Sequence, residues 1–347
     1  MKIRFVEADI KTICLHLVGN KLADENCVFS KKEIVIDSEL NTLLSSYFLS
    51  SFKSEEYYKF YHETNLSLNE VYTYVTDAFN EPNSIQKQSV NLAKHLYNQS
   101  THPNIKVGEF YVVHFQNVTL ESKSVEAIGI FKSENKETFL EVEQITNSFE
   151  IENRKGININ KLDKGCLIFN TNSEEGYIVS IVDNTNKGSE AQYWKDHFLG
   201  VQVLNNEFQQ TSQFLGITKQ FVTKQFTEDF EVSKTNQIEL LNRSVDYFKK
   251  HDNFDRKEFE EEVLGDTNVI KSFRKFDNEY RTENEIEIED NFEISNQAVK
   301  KQARVFKNVL KLDKNFHIYI HGNSDLIEHG IDENGRKFYK IYYKEES

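Results

Sequence analysis

The chain has 347 residues, enough for two domains, and 38% of them are hydrophobic, which is enough to build real cores. Its formal net charge of −14 excludes DNA binding through the average surface, because such binding neutralises phosphates with Lys and Arg. No apolar run reaches the roughly 18 residues that cross a bilayer, and Glu7 and Asp9 interrupt what would have to be the apolar part of an export signal. We therefore expect a cytoplasmic protein with no membrane segment. The three cysteines, Cys14, Cys27 and Cys166, form no CxxC pair, so we expect reduced thiols and no zinc site. No GxxxxGK(S/T) or GxGxxG pattern is present, and we expect no cofactor.

The first half of the chain mixes strand and helix patterns. Residues 1–36 predict two or three strands, and from Asp37 to about Gln99 the apolar residues recur at helical spacing. Alternation returns in residues 106–145, which predict three antiparallel strands, and residues 161–183 predict a hairpin with its turn near Asn172 to Gly176. We interpret residues 1–186 as an N-terminal α+β domain, an antiparallel sheet with a helical insertion.

The second half is mainly helical. Helical patterns cover about 205–226, 234–250, 255–264 and 267–281, and strand patterns follow at 316–321, 326–330 and 337–344. The last two strands are joined through Asn334-Gly335, a strong hairpin signal. We interpret residues 187–347 as a C-terminal helical domain that a β-hairpin closes, so the fold class is α+β.

The junction at residues 184–201 joins a predicted strand at Gly176–Asp183 to a predicted helix that covers 189–200. Ser189 and Gln192 have the spacing of a capping box, and the free amides beside Gly188 could alternatively hold an anion. One apolar stripe of this helix would consist of Ala191, Trp194, Phe198 and Val201.

Two blocks of sequence carry a family resemblance. The run KGSEAQYWKDHFL at 187–199 and the run FHIYIHGNSDLIEHGIDENGRKFYKIYY at 316–343 resemble blocks of the bacterial 37-kilodalton nucleoid-associated protein family. The resemblance covers nearly the whole chain. It implies a cytoplasmic protein that associates with the bacterial nucleoid, and contact with a type II topoisomerase. It implies no reaction, so we do not expect an enzyme.

The best candidate for contact with nucleic acid is the segment 296–311. As one helix it would align four cations on one face: Lys300, Arg304, Lys307 and Lys311. Lys301 flanks that stripe, and Arg274 and Lys275 are added as supporting cations. The competing interpretation is an ordinary solvated helix face. Residues 283–293 just before it contain six acids and no base, and they would either stay solvated or fold back on the cations.

Other chemistry has weaker support. His317, His321 and His329 suggest a metal site, but positions i and i+4 of a strand lie about 13 Å apart. Three carboxylates near predicted strand ends suggest a nuclease centre, although no pattern fixes their geometry: Asp163, Asp183 and Glu190.

Two functions therefore remain open. The first is a DNA-binding protein with little sequence preference that uses the local basic surface. The second is an acidic adaptor that reaches the nucleoid through a DNA-handling protein such as a type II topoisomerase. Amphipathic, aromatic-rich helices also suggest a homodimer.

Overall fold

A computed structural model describes residues 1–185, 193–306, 309–320 and 326–345. The chain divides into two compact units, unit 1 at Met1–Leu204 and unit 2 at Asn205–Ser347. This division lies later than the boundary that we expect near residue 186. The physical reason is packing, since Trp194 is fully buried in a core of unit 1 and Val201–Val203 is a strand of its sheet.

Unit 1 is built on an antiparallel sheet that has nine strands among the described residues. Their bounds are β1 Ile3–Arg4, β2 Asp9–Val18, β3 Val28–Phe29, β4 Tyr57–Phe60, β5 Gly108–Leu120, β6 Lys123–Ser133, β9 Lys164–Phe169, β10 Ile178–Asp183 and β11 Val201–Val203. The order is β11-β4-β10-β9-β6-β5-β2-β3, and β1 pairs with β5. The predicted hairpin at 161–183 is confirmed as β9 and β10, with Phe169 opposite Ile178.

Both faces of this sheet are buried. Successive residues of a strand point to opposite sides of the sheet, and here each side packs into a core. In β5, Phe110 and Val112 belong to one core, and Tyr111 and Val113 belong to the other. The first core includes side chains of helices α2 Glu70–Asn80, α3 Ile85–Gln99 and the π-helical α4 Tyr193–Leu199, and the second includes those of α1 Ser38–Leu49. This double burial explains why strands such as β9 are almost continuously apolar.

One predicted helical segment contains a strand, and one predicted strand is confirmed outside the main sheet. β4 lies inside the block that the apolar spacing assigns to helix, and it pairs with both β10 and β11. Its four residues, YYKF, are too few to show a period, and their pairing with distant strands decides their conformation. The third strand expected in 106–145 is β7 Glu137–Ile145, which pairs with β8 Ser148–Gly156 as a separate two-stranded ribbon.

Unit 2 is mainly helical. Its helices are α5 Glu207–Gln220, α6 Phe226–Asp229, α7 Lys234–Lys250, α8 Arg256–Phe259, α9 Thr267–Glu283 and α10 Asn296–Ala303. π-Helical turns at Phe221–Gln225 and Glu260–Leu264 follow α5 and α8. The helix starts are locally encoded: Ser233 and Asn236 form a capping box at α7, and Asp266 accepts hydrogen bonds from the first turn of α9.

Three antiparallel pairs of short strands complete unit 2 within the described residues. They are β12 Asn253–Asp255 with β13 Asn291–Glu293, β14 Val309–Leu312 with β15 Phe316–Tyr319, and β16 Ile327–Ile331 with β17 Lys337–Ile341. The β16–β17 pair confirms the predicted closing hairpin, with Gly335 at a φ of 76° in its turn. The α+β fold class is confirmed.

The cysteines are free thiols, as the sequence predicts. Cys14 and Cys166 are buried, and burial raises the pKa of the Cys14 thiol to about 11. Among the described residues, every helix is too short or too polar to span a bilayer.

Candidate nucleic-acid interface

The predicted basic helix is shorter than its apolar spacing suggests. Ser295 caps α10 by accepting a hydrogen bond from the amide of Ala298, and the buried side chains of Ala298 and Val299 attach the helix to unit 2. The helix ends at Ala303, and Arg304 is its C-cap residue. The prediction of one helix over 296–311 is therefore wrong after residue 303.

The reason is that the sequence VLKL at 309–312 fits two periods. Its alternation also suits a strand, and in the structure it forms β14, with Lys311 opposite His317 of β15. Leu310 is buried next to Ile238 of α7, so tertiary packing selects the strand. Lys311 is thus exposed on a strand, and Lys307 lies outside the described residues. The expected four-cation helix face does not form.

Three cations do come together at the carboxyl end of α10, and we call Lys300, Lys301 and Arg304 the basic end. All three are exposed. Lys301 places its Nζ 5.3 Å from the ring centroid of Phe208, a cation–π contact. Within the described part of the chain, neither Lys300 nor Arg304 makes an ion pair.

Arg274 has a different role from the one that the sequence suggests. Its Nε lies 2.9 Å from Oε1 of Glu260, and its Nη2 lies 2.5 Å from Oε2 of the same carboxylate. Glu260 is only 2% exposed, so Arg274 neutralises a buried charge. This pairing cannot be read from sequence, because Glu260 lies on a different helical segment. Lys275 is exposed on α9 beside it.

Two more arginines of unit 2 are likewise held by a buried acid. Asp277 is 1% exposed and lies 2.6 Å from Nη2 of Arg256 and 2.7 Å from Nε of Arg281. These charge-assisted contacts fix α8 against α9. Arg304 differs from these three arginines, since it is exposed and has no acidic partner among the described residues. Arg243 is also exposed without an acidic partner, but its guanidinium donates a hydrogen bond to the carbonyl of Val263.

The acidic segment before α10 is attached to the core of unit 2. Ile286 and Ile288 pack against that core, and Arg281 donates a hydrogen bond of 2.8 Å to the carbonyl of Ile288. Residues 291–293 form β13. Among the described residues, no ion pair joins a carboxylate of this segment to Lys300 or Arg304.

The junction residues have a structural role where they are described. Trp194 and Phe198 are buried, with ring centroids 4.9 Å apart, which confirms their place in a core. Val201 lies in β11 and not on the predicted helix stripe, because its backbone pairs with Phe60 of β4. Gly188, Ser189, Ala191 and Gln192, which carry the expected cap and anion site, lie outside the described residues.

The nuclease carboxylates are engaged or not described. Asp163 is 3% exposed and accepts hydrogen bonds from the amides of Glu134 and Asn135 at 2.7 and 2.8 Å. Asp183 accepts one from the amide of Thr185 at 3.1 Å. Glu190 lies outside the described residues. Asp163 thus holds the amides of the segment that joins β6 to β7.

The three histidines that suggest a metal site in the sequence are not shown to form one, because only two of them lie among the described residues. His317 lies on β15, His329 lies on β16, and His321 is outside the described residues. His251 lies between two carboxylates instead, with Nδ1 at 3.6 Å from Oε2 of Glu258 and Nε2 at 3.3 Å from Oε2 of Glu262. Within the described part of the chain, these three side chains form a group whose possible ligand atoms all lie within 4.8 Å of one another, and the two carboxylates are exposed.

Comparison with known proteins agrees with the resemblance in the two sequence blocks. Residues 14–336 match the model of a family described as nucleoid-associated protein YejK, which is not known as an enzyme family. A comparison with curated proteins gave no match. Because the family model spans most of the chain, this protein belongs to the nucleoid-associated protein YejK family.

Proposed function

We propose that this protein associates with the nucleoid by binding DNA phosphates, with little sequence preference and no catalytic step, through the basic end at Lys300, Lys301 and Arg304. One observation carries the proposal. Lys300 and Arg304 are exposed and lack an ion pair within the described residues, whereas Arg256, Arg274 and Arg281 are paired with buried acids. No acidic residue occurs from Ser295 to Leu312, so this stretch of the sequence is basic although the chain as a whole is acidic.

The size of the expected effect follows from counterion release. Each phosphate that a cation neutralises contributes about −0.9 to the slope of log K against log salt concentration on duplex DNA. Three cations therefore give a slope of about −2.7. Contacts of this kind position a protein on the backbone and carry no base information, so unrelated duplexes should bind alike.

The test is a salt titration of binding to two unrelated duplexes, followed by fluorescence anisotropy. The variant K300Q/R304Q should reduce the magnitude of the slope by about 1.8 on both duplexes. The matched control is K249Q/K250Q, which removes the same charge from exposed lysines in the last turn of α7. An unchanged slope in K300Q/R304Q, or an equal reduction in the control, would exclude the basic end as the DNA contact.

A second candidate function is an adaptor that reaches DNA through a basic DNA-handling protein. It is favoured by the charge distribution, because unit 2 itself contains 28 acidic and only 22 basic side chains. One face of the β7–β8 ribbon adds four exposed glutamates at positions 141, 143, 150 and 152. The resemblance to the nucleoid-associated family makes a type II topoisomerase the partner to test.

The two functions are separated by co-sedimentation with a purified type II topoisomerase before and after nuclease treatment. An adaptor keeps its partner when the DNA has been removed, and a DNA-binding protein loses it. Replacing the four ribbon glutamates with glutamine should weaken the nuclease-resistant complex if the acidic face is the contact. Retention of the complex by that variant would exclude this face.

A further inference from the structure

The β7–β8 ribbon is an uncovered element of unit 1. Its two strands pair only with each other among the described residues, through a two-residue turn at Thr146 and Asn147. Every residue of β7 is exposed, and so are the residues of β8 up to Lys155. An isolated two-stranded ribbon is at best marginally stable in water, so a ribbon of this kind normally packs on another surface.

The register gives the ribbon two chemically different faces. Val142 lies opposite Ile151, Leu140 opposite Asn153, and Gln144 opposite Phe149. These three pairs share one face because alternate residues point to the same side. The intervening pairs, which include Glu141 with Glu152 and Glu143 with Glu150, make up the other face.

The apolar side chains of the first face form a diagonal stripe, which we define as Leu140, Val142, Ile151 and Phe149. Their exposed fractions are 69%, 59%, 67% and 66%. Together they expose on the order of 500 Å² of apolar surface, which is near the upper end for the largest patch on a monomeric protein. Four large apolar side chains exposed next to one another on a ribbon are typical of a surface that packs against another molecule.

We propose that the stripe is an interface between two copies of this chain. The stripe has a shape that can pack on a second copy of itself: Leu140 and Phe149 lie at its two ends, Val142 and Ile151 lie at its centre, and the polar Asn153 and Gln144 flank it on opposite sides. A twofold axis between two ribbons places stripe on stripe, as an isologous interface requires.

Charge also favours a second copy over a basic protein at this face. The stripe and its flanking side chains carry no carboxylate, so two copies meet there without opposing their glutamates. A basic protein would find no charge to pair with on the stripe and would be attracted to the opposite, acidic face.

The apolar area of the stripe limits how strongly two copies can associate. A stable interface buries about 800 Å² per partner, and the stripe offers roughly 500 Å². The dimer is therefore weak and depends on protein concentration, in the micromolar range. Because both copies carry a net charge of −14, salt that screens their repulsion should strengthen the dimer. DNA binding and ionic contacts with a basic protein respond to salt in the opposite direction.

Sedimentation velocity of the purified chain from about 1 to 200 μM, at low and high salt, measures this association. V142E/I151E should stay monomeric throughout. The matched control is F139E/I145E, which makes the same chemical change on the other face and should dimerise like the wild type apart from its added charge. A wild type that is monomeric at every concentration, or a control that loses the dimer as completely as V142E/I151E, would overturn the proposal.

A cross-linking experiment tests the geometry without relying on stability. Oxidation of V142C should give a species of twice the 40.8 kDa chain mass, because Val142 lies at the centre of the stripe. I145C lies on the other face and should give much less of it. Equal cross-linking of V142C and I145C would mean random collision and would reject the interface.

Discussion

A buried charge cluster in unit 1 provides the sharpest test of how this fold is stabilised. Lys132 and Lys164 are both 0% exposed, and Glu134 is 4% exposed between them. The Nζ of Lys132 lies 2.9 Å from Oε1 of Glu134, and the Nζ of Lys164 lies 2.6 Å from Oε2. Burial alone would raise the pKa of Glu134, but the two ammonium groups lower it below the usual value, so Glu134 is ionised.

The substitution Glu134→Gln keeps the shape of this side chain and removes its charge. Two buried ammonium groups then lose their carboxylate, and breaking a buried pair in this way costs about 3–5 kcal/mol. The cost has an upper limit, because one lysine can deprotonate. Moving a lysine from a pKa of 10.5 to neutrality at pH 7 requires about 5 kcal/mol. We therefore expect the free energy of unfolding of unit 1 to fall by about 3–5 kcal/mol.

Trp194 supplies a specific assay for this loss. It is the only tryptophan of the chain, and it is fully buried in a core of unit 1. Its fluorescence during urea titration therefore follows unit 1. With an m-value of about 2 kcal/mol/M, the midpoint should fall by roughly 2 M. The control Glu150→Gln makes the same chemical change on the exposed ribbon and should shift the midpoint little. A loss below about 1 kcal/mol in E134Q would refute this account of the cluster.

Two further predictions concern single residues of unit 1. Burial lowers the pKa of His16 from 6.5 to about 4, so the unfolded state takes up the proton first and stability is lost as pH falls through this window, approaching about 3 kcal/mol below pH 4. His16→Asn should flatten that decline in pH-dependent urea titrations, and an unaltered profile would contradict the assignment. A Cβ at Gly176, whose φ is 100°, would lie 2.4 Å from the carbonyl oxygen of Phe60, so Gly176→Ala should destabilise unit 1 by more than about 2 kcal/mol. Gly216→Ala, which has open space inside α5, should stabilise unit 2 by up to about 1 kcal/mol in thermal unfolding, and similar effects of both changes would contradict the steric argument.

Local signals in the sequence predict much of this fold. The α7 helix occurs at Lys234–Lys250 as expected, because Ser233 caps it and its apolar residues keep one period over many turns. The Asn334-Gly335 hairpin and the β9–β10 hairpin are also recoverable, since turn residues separate clear strand patterns.

The failures have a common physical origin in long-range contacts. β4 is short and acquires its conformation from β10 and β11. Val309–Leu312 is a strand whose Leu310 is buried next to Ile238 of α7, which is distant in sequence. The same holds for charge. The sequence suggests that Arg274 is available to bind phosphate, but in the folded chain its guanidinium forms an ion pair with Glu260. Periodicity cannot reveal which strand or acid a residue will meet.

The two proposals have a joint consequence for DNA binding. A single basic end with three cations gives a salt slope of about −2.7, which corresponds to a weak contact. If two copies associate through the stripe and both basic ends reach the same duplex, the slope should approach about −5.4, because twice as many phosphates are neutralised. V142E/I151E leaves the basic end untouched, yet it should return the slope to the single-copy value, whereas F139E/I145E has the same added charge and should keep the larger slope. Equal slopes in these two variants would show that the stripe does not contribute to DNA binding, and the loss of slope in K300Q/R304Q would then measure the basic end of each copy alone.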